Sequence, residues 1–306
     1  MEAGERSESD RVSVVMLTHD RADRTLRGLS ELTALPEGPP IVVVDNASSD
    51  GTVEAVRREF PSVEVVALDE NLGAAGRNLG VEHVDTPYVA FSDDDSWWAP
   101  GALARAAEAF DRHPRLGAIH ARILVGYDER EDPICGELRG SPLPGDPSLP
   151  GTPLLGFLAC AVIFRREAFE AVGGFERSVT IGGEEEWLAC DLAGAGWEIR
   201  YLDDVVAHHD PPRRAGAAAD ARRRVGLRNA LWFNWLRRPA SSALRRTLHL
   251  ARTVPRDRVS ALAVADSVRG LRNGSPRRRV VAPHVEHMLR LLDRPQMEST
   301  NRRYAP

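Results

Sequence analysis

Directly after the apolar run Tyr88–Phe91, three carboxylates stand side by side at Asp93, Asp94 and Asp95. Adjacent like charges repel, so the cluster is stable mainly where a cation or solvent neutralises it. Asp93 and Asp95, two residues apart, point the same way from an extended segment. Hard oxygen ligands of this kind suit Mg²⁺ or Mn²⁺ bridging a diphosphate. A solvated acidic turn capping the next helix would look the same in isolation, so the other polar clusters matter. Asp45 closes the apolar run Ile41–Val44, where its carboxylate could accept from a nucleobase or a ribose hydroxyl. Asn71-Leu72-Gly73 followed by Gly76-Arg77-Asn78-Leu79-Gly80 reads as a glycine-lined helix start carrying an Arg, which suits a phosphate-facing helix N-terminus. Its glycines do not match G-x-G-x-x-G and follow the third strand, not the first, which excludes a dinucleotide-binding oxidoreductase. A second acidic group, Glu184-Glu185-Glu186, lies at the start of a helical stretch. Carboxylates there are favoured by the helix dipole whether or not they act on a substrate.

The elements that must position these groups follow from periodicity. Val12–Leu17, Ile41–Val44, Val63–Leu68 and Tyr88–Phe91 are short apolar, β-branched runs and read as buried strands. Helical patterns separate them over Asp20–Leu35, over the stretch from the Ser49/Asp50 cap to Phe60, and over Gly73–Val84. Alternation of this kind predicts βαβ units and a parallel sheet, and strand ends in such sheets are where ligands bind. Asp128–Pro153, rich in Pro, Gly and Asp, is expected to be a long functional loop. Leu154–Phe164 reads as a further core strand, Glu184–Ala195 as a helix, and Glu198–Tyr201 and Val205–Ala207 as short strands.

Composition bounds the class. The 306 residues are 42% hydrophobic and 28% charged, which fits a folded α/β domain with an extension. Every one of the 40 basic residues is Arg. Residues 1–212 carry 18 Arg against 39 acids, a net of −21, whereas residues 213–306 carry 22 Arg against 6 acids, a net of +16. Three Cys without C-x-x-C spacing argue against a disulfide framework and for a reducing compartment. The charged stretch Met1–Arg11 has no hydrophobic core of a signal peptide and reads as a disordered tail over 1–10. The longest apolar run, Leu154–Phe164, is too short to span a bilayer, so a cytoplasmic protein is expected, peripheral at the inner face of the cell membrane if attached at all.

Taken in order, the segments Val14–Arg21, Val44–Thr52, Asn71–Gly73 with Arg77-Asn78, and Phe91–Asp95 resemble those of family 2 glycosyltransferases, which have the GT-A fold. Gly173-Gly174-Phe175, Glu184-Glu185-Glu186, Ala195-Gly196-Trp197 and Val206-Ala207-His208 continue the match, which covers about residues 11–212. The resemblance implies a mixed α/β sheet whose N-terminal βαβ half binds a nucleotide diphosphate sugar. It implies that Thr18 and Asp45 contact the nucleoside and that Arg77 sits near the base or diphosphate. Arg21, Asn46, Asn71, Gly73 and Asp94, in the same segments, complete the donor site. Asp93 and Asp95 would hold the donor through Mn²⁺ or Mg²⁺, with His208 as third metal ligand. The family's acidic pair is usually Glu-Asp; counting back from Trp197 places it at Glu184 and Glu185, with Glu185 expected as the catalytic base. The implied reaction is a metal-assisted single displacement with inversion onto the hydroxyl of a sugar or lipid-linked acceptor. A sugar-phosphate nucleotidyltransferase shares a similar sheet, but it opens with a glycine-rich loop ending in Arg and Lys where Thr18-His19-Asp20-Arg21 stands. A non-catalytic nucleotide-sugar-binding protein is disfavoured by the intact acids at 93, 95, 184 and 185.

The domain boundary is placed after Pro212, and the basic remainder, 213–306, is expected to be helical. Leu227, Leu231 and Trp235 recur at spacing four among Arg222, Arg223, Arg224, Arg228, Arg237 and Arg238. Arg with Trp on an amphipathic helix is an interfacial signature, so two roles are open: an anionic membrane surface, or packing on the acidic body. Nucleic acid binding is not expected, because no interleaved aromatic pattern or known binding module appears.

Overall fold

The computed structural model describes residues 11–126, 128–211, 216–272 and 277–299. The tail expected over 1–10 lies outside them, as do Pro212, Arg213 and Arg214 at the expected boundary. In the N-terminal half, β1 (Val12–Thr18), α1 (Ala22–Thr33), β2 (Ile41–Asp45), α2 (Thr52–Glu59), β3 (Glu64–Ala67), α3 (Gly76–Val81) and β4 (Tyr88–Asp93) alternate as expected. Next come β5 (Ser96–Trp98), α4 (Ala102–Arg112), β6 (Leu116–Val125), β7 (Arg130–Glu131), α5 (Pro133–Arg139) and β8 (Thr152–Leu154). They are followed by β9 (Val162–Arg165), α6 (Arg166–Ala171), α7 (Glu184–Gly194) and β10 (Glu198–His209). Four helices close the described chain: α8 (Ala217–Arg237), α9 (Ala240–Thr253), α10 (Arg258–Arg272) and α11 (Pro283–Glu298).

The strands form one mixed sheet in the order β3-β2-β1-β4-β9-β6-β10-β5, with β7 on β6 and β8 on β10. β3, β2, β1 and β4 run parallel, whereas β9 is antiparallel to both β4 and β6. Val14, Val15, Met16, Val43 and Val44 are fully buried, because a parallel sheet covered on both faces needs unbroken apolar strands instead of alternating ones. Register sets the site. Thr18 pairs with Asp45 and Leu17 with Asp93, so three adjacent strands end together and present polar residues along one edge.

Several elements differ from the sequence expectation. The loop expected over Asp128–Pro153 contains β7 and α5; the Asp132 carboxylate caps α5 by accepting from Ile134 N (2.9 Å), and Pro133 occupies the first turn. The run Leu154–Phe164 is not one strand: a 3₁₀ turn at Ala159–Ala161 separates β8 from β9. The two short strands expected near 198–207 are one, β10, with an irregularity between Leu202 and Val206 where Asp203 and Asp204 face solvent. Leu116–Val125, unmarked by the patterns above, forms the long interior strand β6.

The extension is built onto the sheet domain. α8 is its axis. Trp232, Phe233 and Leu236 of α8 and Val285 and Leu289 of α11 pack with Trp187 and Cys190 of α7 in one apolar cluster. Leu227 and Leu231 of α8 meet Leu250 of α9 and Ala263 of α10 in another. Asp191 of α7 accepts from Arg237 (2.5 Å) and pairs with Arg279. Arg238, fully buried, is satisfied by Glu286 (3.0 Å) and Asp293 (2.7 Å) of α11. An ion this deep needs such pairing, since a lone buried guanidinium costs several kcal/mol. Of the two roles open for the Arg/Trp helix, its packing is the one seen at the centre of the extension: Trp232 donates Nε1–H to Ser267 O (3.0 Å), and Arg228 stacks on its ring at 4.5 Å. No described helix is long and apolar enough to cross a membrane.

Candidate functional site

The acidic triplet leaves β4 at the edge formed by β2, β1 and β4. Arg77, on α3, pairs with Asp93 and lies between the rings of Phe91 (5.9 Å) and Phe175 (5.8 Å). Phe175 is placed by the turn Gly173-Gly174, both at positive φ, and by Asn78, which donates to Phe175 O and accepts from Phe175 N at 2.9 Å each. The glycine turn therefore lies next to Arg77. Asp94 and Asp95 point inward, with side chains 7% and 6% exposed against 37% for Asp93. Arg21 donates to Asp94 (2.8 Å) and Asp95 (3.4 Å), and Arg24, one turn along α1, reaches Asp95 at 3.7 Å. Burial pushes the Asp94 carboxyl up to about 6, against the pull of Arg21. Burial also works on Asp95, but His209, Arg21 and Arg24 outweigh it and hold its carboxyl below the usual range. The repulsion inherent in three adjacent carboxylates is thus met by three arginines from α1 and α3.

The other residues expected at a donor site mostly build loops. Thr18 Oγ1 is buried, bonded to Thr25 Oγ1 (2.7 Å) and donating to Asp94 (3.4 Å), so it steadies the triplet from below. Asp45 accepts from Ser48 N (2.8 Å) through one oxygen; its other oxygen is buried with no hydrogen-bond partner among the described residues. Asn46 accepts from Leu72 N (3.2 Å) and donates to Gly73 O (3.0 Å), while Asn71 accepts from Gly73 N (2.9 Å). Gly73 adopts φ +59°, and a Cβ there would lie 2.1 Å from Thr180 O, so only glycine fits. Ala74 N donates to that same oxygen at 2.7 Å.

Thr180 leads into the second acidic group. Residues 181–183 are held from the other side by α8, where the buried Asn229 amide donates to Ile181 O (3.0 Å) and Gly182 O (2.7 Å). Gly183, at φ +99°, starts α7, and Glu184 and Glu185 open its first turn. Glu184 is 4% exposed, and its Oε2 has no hydrogen-bond partner among the described residues. Burial, reinforced by the neighbouring Glu185 charge, raises its carboxyl to about 8 against the opposing charges of Arg222 and Arg77. Glu185 is only half-buried. Trp187, one helical turn on, is committed to the core with α8 and carries Arg237 over its ring at 5.0 Å.

One expected site residue sits elsewhere. His208, anticipated beside Asp95, stacks on Trp97 at 5.4 Å and faces Glu129 at 3.8 Å. Its neighbour His209 takes that place, with Nε2 3.4 Å from Asp95 Oδ1. Adjacent strand residues point to opposite faces, so only one of the two can reach the acids, and the register of β10 against β5 selects His209. Asn229 and Arg24 belong to none of the motifs above, and Arg222 entered only as one of the arginines along the amphipathic helix; Arg24 alone carries a local signal, its i,i+3 spacing from Arg21. Asp93, Asp95 and His209 are donors of the type that holds Mn²⁺ or Mg²⁺, yet arginines occupy the two carboxylates. Among the described residues no group of three or more His, Cys, Asp or Glu stands in position around one metal ion.

A family model described as Glycosyl transferase family 2 matches residues 13–173. The chain is 28% identical over 236 residues to an N-acetylglucosaminyl-diphospho-decaprenol L-rhamnosyltransferase of Mycobacterium tuberculosis, covering 66% of this chain and 76% of that one. It is 26% identical over 235 residues to the glycosyltransferase AglE of Haloferax volcanii, covering 70% and 71%. Among solved structures it is similar to the mannosyltransferase PcManGT of Pyrobaculum calidifontis, solved with GDP-Man and Mn²⁺, at TM-score 0.57 and 22% identity over 95% of this chain and 82% of that one. That likeness establishes the fold as the GT-A type.

Proposed function

The chain belongs to glycosyl transferase family 2, and from that premise we propose that it inverts the anomeric carbon as it moves a sugar from a nucleoside diphosphate to a lipid-linked acceptor, with a divalent metal on the diphosphate. One observation carries this reading. The 180–183 segment joins the donor-side edge, through Gly73 and Ala74, to the Glu184–Glu185 pair, so that a leaving group and a base can flank one sugar. A base on one side and a leaving group on the other is the geometry of a single displacement, which needs no covalent intermediate.

Each group then has a task. Asp45, with one oxygen unsatisfied, accepts from the nucleoside, and Arg77, braced by two rings, meets the diphosphate. Asp93, Asp95 and His209 would hold Mn²⁺ or Mg²⁺; a bound divalent ion supplies charge stabilisation for the departing diphosphate. Until donor binds, Arg77, Arg21 and Arg24 provide the positive charge that the triplet requires. Burial and the neighbouring Glu185 charge push the Glu184 carboxyl up, whereas Glu185 keeps access to solvent, so Glu185 is the group assigned to take the acceptor proton. General base catalysis of this kind contributes roughly 10²–10⁴-fold. The lipid-linked acceptor is taken from the rhamnosyltransferase relative, whose name specifies a decaprenol-linked substrate. It would place the enzyme on the cytoplasmic face of the cell membrane.

A thermal-shift panel of GDP, UDP and dTDP with and without Mn²⁺ tests the donor half. A nucleotide at a hundredfold excess over Kd stabilises by about 2.7 kcal/mol, which a melt resolves. Stabilisation by one nucleoside diphosphate that grows with Mn²⁺ is expected. No shift with any of the three would remove the donor assignment, and equal shifts with and without metal would remove the metal.

A further inference from the structure

We propose that the outward faces of α9 and α10 form a docking surface for an anionic lipid bilayer. The inference deepens the lipid-linked acceptor assignment above and rests on it for its purpose, though not for its evidence. Among the described residues, the large hydrophobic side chains left exposed are Ile181, Trp235, Leu244, Leu248, Val264, Val268 and Val280. All but Ile181 belong to the extension, and four form two i,i+4 pairs, Leu244 with Leu248 on α9 and Val264 with Val268 on α10. The other side of each helix is already used. Leu250 of α9 and Ala263 of α10 pack with α8, Ser267 of α10 accepts from Trp232 of α8, and Ala243 of α9 is buried as well. The exposed stripes therefore point away from the body of the protein. Trp235, 39% exposed, lies at the seam, donating Nε1–H to Thr247 Oγ1 (3.0 Å) between Leu244 and Leu248. A ring with a satisfied, partly exposed N–H and an exposed apolar face is the side chain that favours a membrane interface.

Charge identifies the occupant. The acids near these stripes are paired: Asp266 of α10 with Arg224 (2.6 Å) and Arg269 (3.0 Å), and Asp257, just before the helix, with Arg223 (2.6 Å). Neither outward stripe carries a carboxylate. Arg252, Arg256, Arg258 and Arg272 are exposed and make no ion pair among the described residues. Two helix faces combining i,i+4 aliphatics with unpaired Arg match an amphipathic surface that rests at the headgroup boundary of an anionic leaflet. A second copy of the chain would bring these arginines against one another, which disfavours self-association there.

The test is co-sedimentation of the full chain with phosphatidylcholine vesicles containing or lacking phosphatidylglycerol. Sedimentation with the anionic vesicles only, released by high salt, is expected. The variant Leu244→Glu/Leu248→Glu/Val264→Glu/Val268→Glu alters solvent-facing positions; it should lose at least tenfold in vesicle binding while its melting curve and its nucleoside diphosphate response stay unchanged. A dye attached at Val268→Cys should shift to the blue on adding anionic vesicles, independently of the quadruple variant. Wild-type binding that the four glutamates do not reduce, a dye that does not respond, or concentration-dependent dimerisation abolished by the same variant would each overturn the proposal. Failure of the donor panel with intact vesicle binding would instead strike the catalytic assignment alone.

Discussion

Glu184 and Glu185 are neighbours in sequence with different surroundings. Glu184 is buried beside Arg222 with its carboxyl raised to about 8, while Glu185 keeps access to solvent. A raised acid binds its proton more tightly in the folded state. Its contribution to stability is therefore full below its ordinary value of 4.5 and is lost as pH climbs from there to about 8. Glu184→Gln, which fixes the neutral form, should melt close to the parent at pH 5 and above it at pH 8; a constant difference between the two pH values would show that Glu184 is not protonated in the fold. The same variant should retain much of its transfer rate, whereas Glu185→Gln should lose about 10²-fold in kcat with donor binding intact. The reverse order in a kinetic comparison would move the base to Glu184. For the metal, His209→Ala and Asp95→Asn should each abolish the Mn²⁺-dependent part of the nucleotide thermal shift, and His208→Ala should not. Equal effects of the two histidine variants would contradict the strand alternation that separates them.

At the scale of elements, the segment 180–183 links the loop at Gly73 and Ala74 to the acidic start of α7. Its position depends on a glycine on one side and an amide on the other. Asn229→Ala removes two hydrogen bonds to backbone carbonyls, each worth about 0.5–1.5 kcal/mol, and leaves Ile181 O and Gly182 O without their donor. Turnover is expected to fall by about tenfold while donor KM changes little, since the donor edge is built by other strands; a displacement of this size near reacting groups is costly. Asn229→Asp, equal in size but lacking the amide donors, should behave like Ala. An Asn229→Ala enzyme with parental kcat would show that α8 is not needed to place the acid pair. Gly73→Ala acts from the opposite side, driving a methyl into Thr180 O, and should impair donor binding and turnover together.

For the whole molecule, the question is whether the basic remainder is a separate unit. The geometry says it is not. Trp187 and Cys190 of the sheet domain share one apolar cluster with Trp232, Phe233, Leu236, Val285 and Leu289, and burying each large side chain contributes about 1.5–3 kcal/mol. A chain ending at residue 211 should therefore be insoluble or lose its cooperative melt. A soluble truncated protein with a sharp transition and intact donor response would refute this. The charge split has the same resolution: all six carboxylates after residue 213 pair with arginines of the extension, and Asp191 draws two more arginines onto α7.

Sequence alone determined what depends on local patterning. Unbroken apolar runs marked the parallel strands β1, β2 and β4, because a strand covered on both faces has no alternation to show, whereas β3, expected to be buried as well, is the half-exposed edge strand. The acids at 93–95 and 184–186 and the glycine-lined start of α3 were legible because their residue types are costly without a task. Tertiary structure alone decided what depends on register and on distant packing. His209 stands at Asp95 in place of His208 because β10 runs beside β5 in one register. Asp132 and Pro133 begin a helix inside an expected loop. Thr18, read as a nucleoside contact, is buried against Thr25 and Asp94. Most of all, α8 carries Arg222 and Asn229 to the 181–184 segment, more than thirty residues away in the chain, and turns its Trp232 inward. An amphipathic stripe states that one face will be covered; only the folded chain settles whether helix, sheet or lipid covers it.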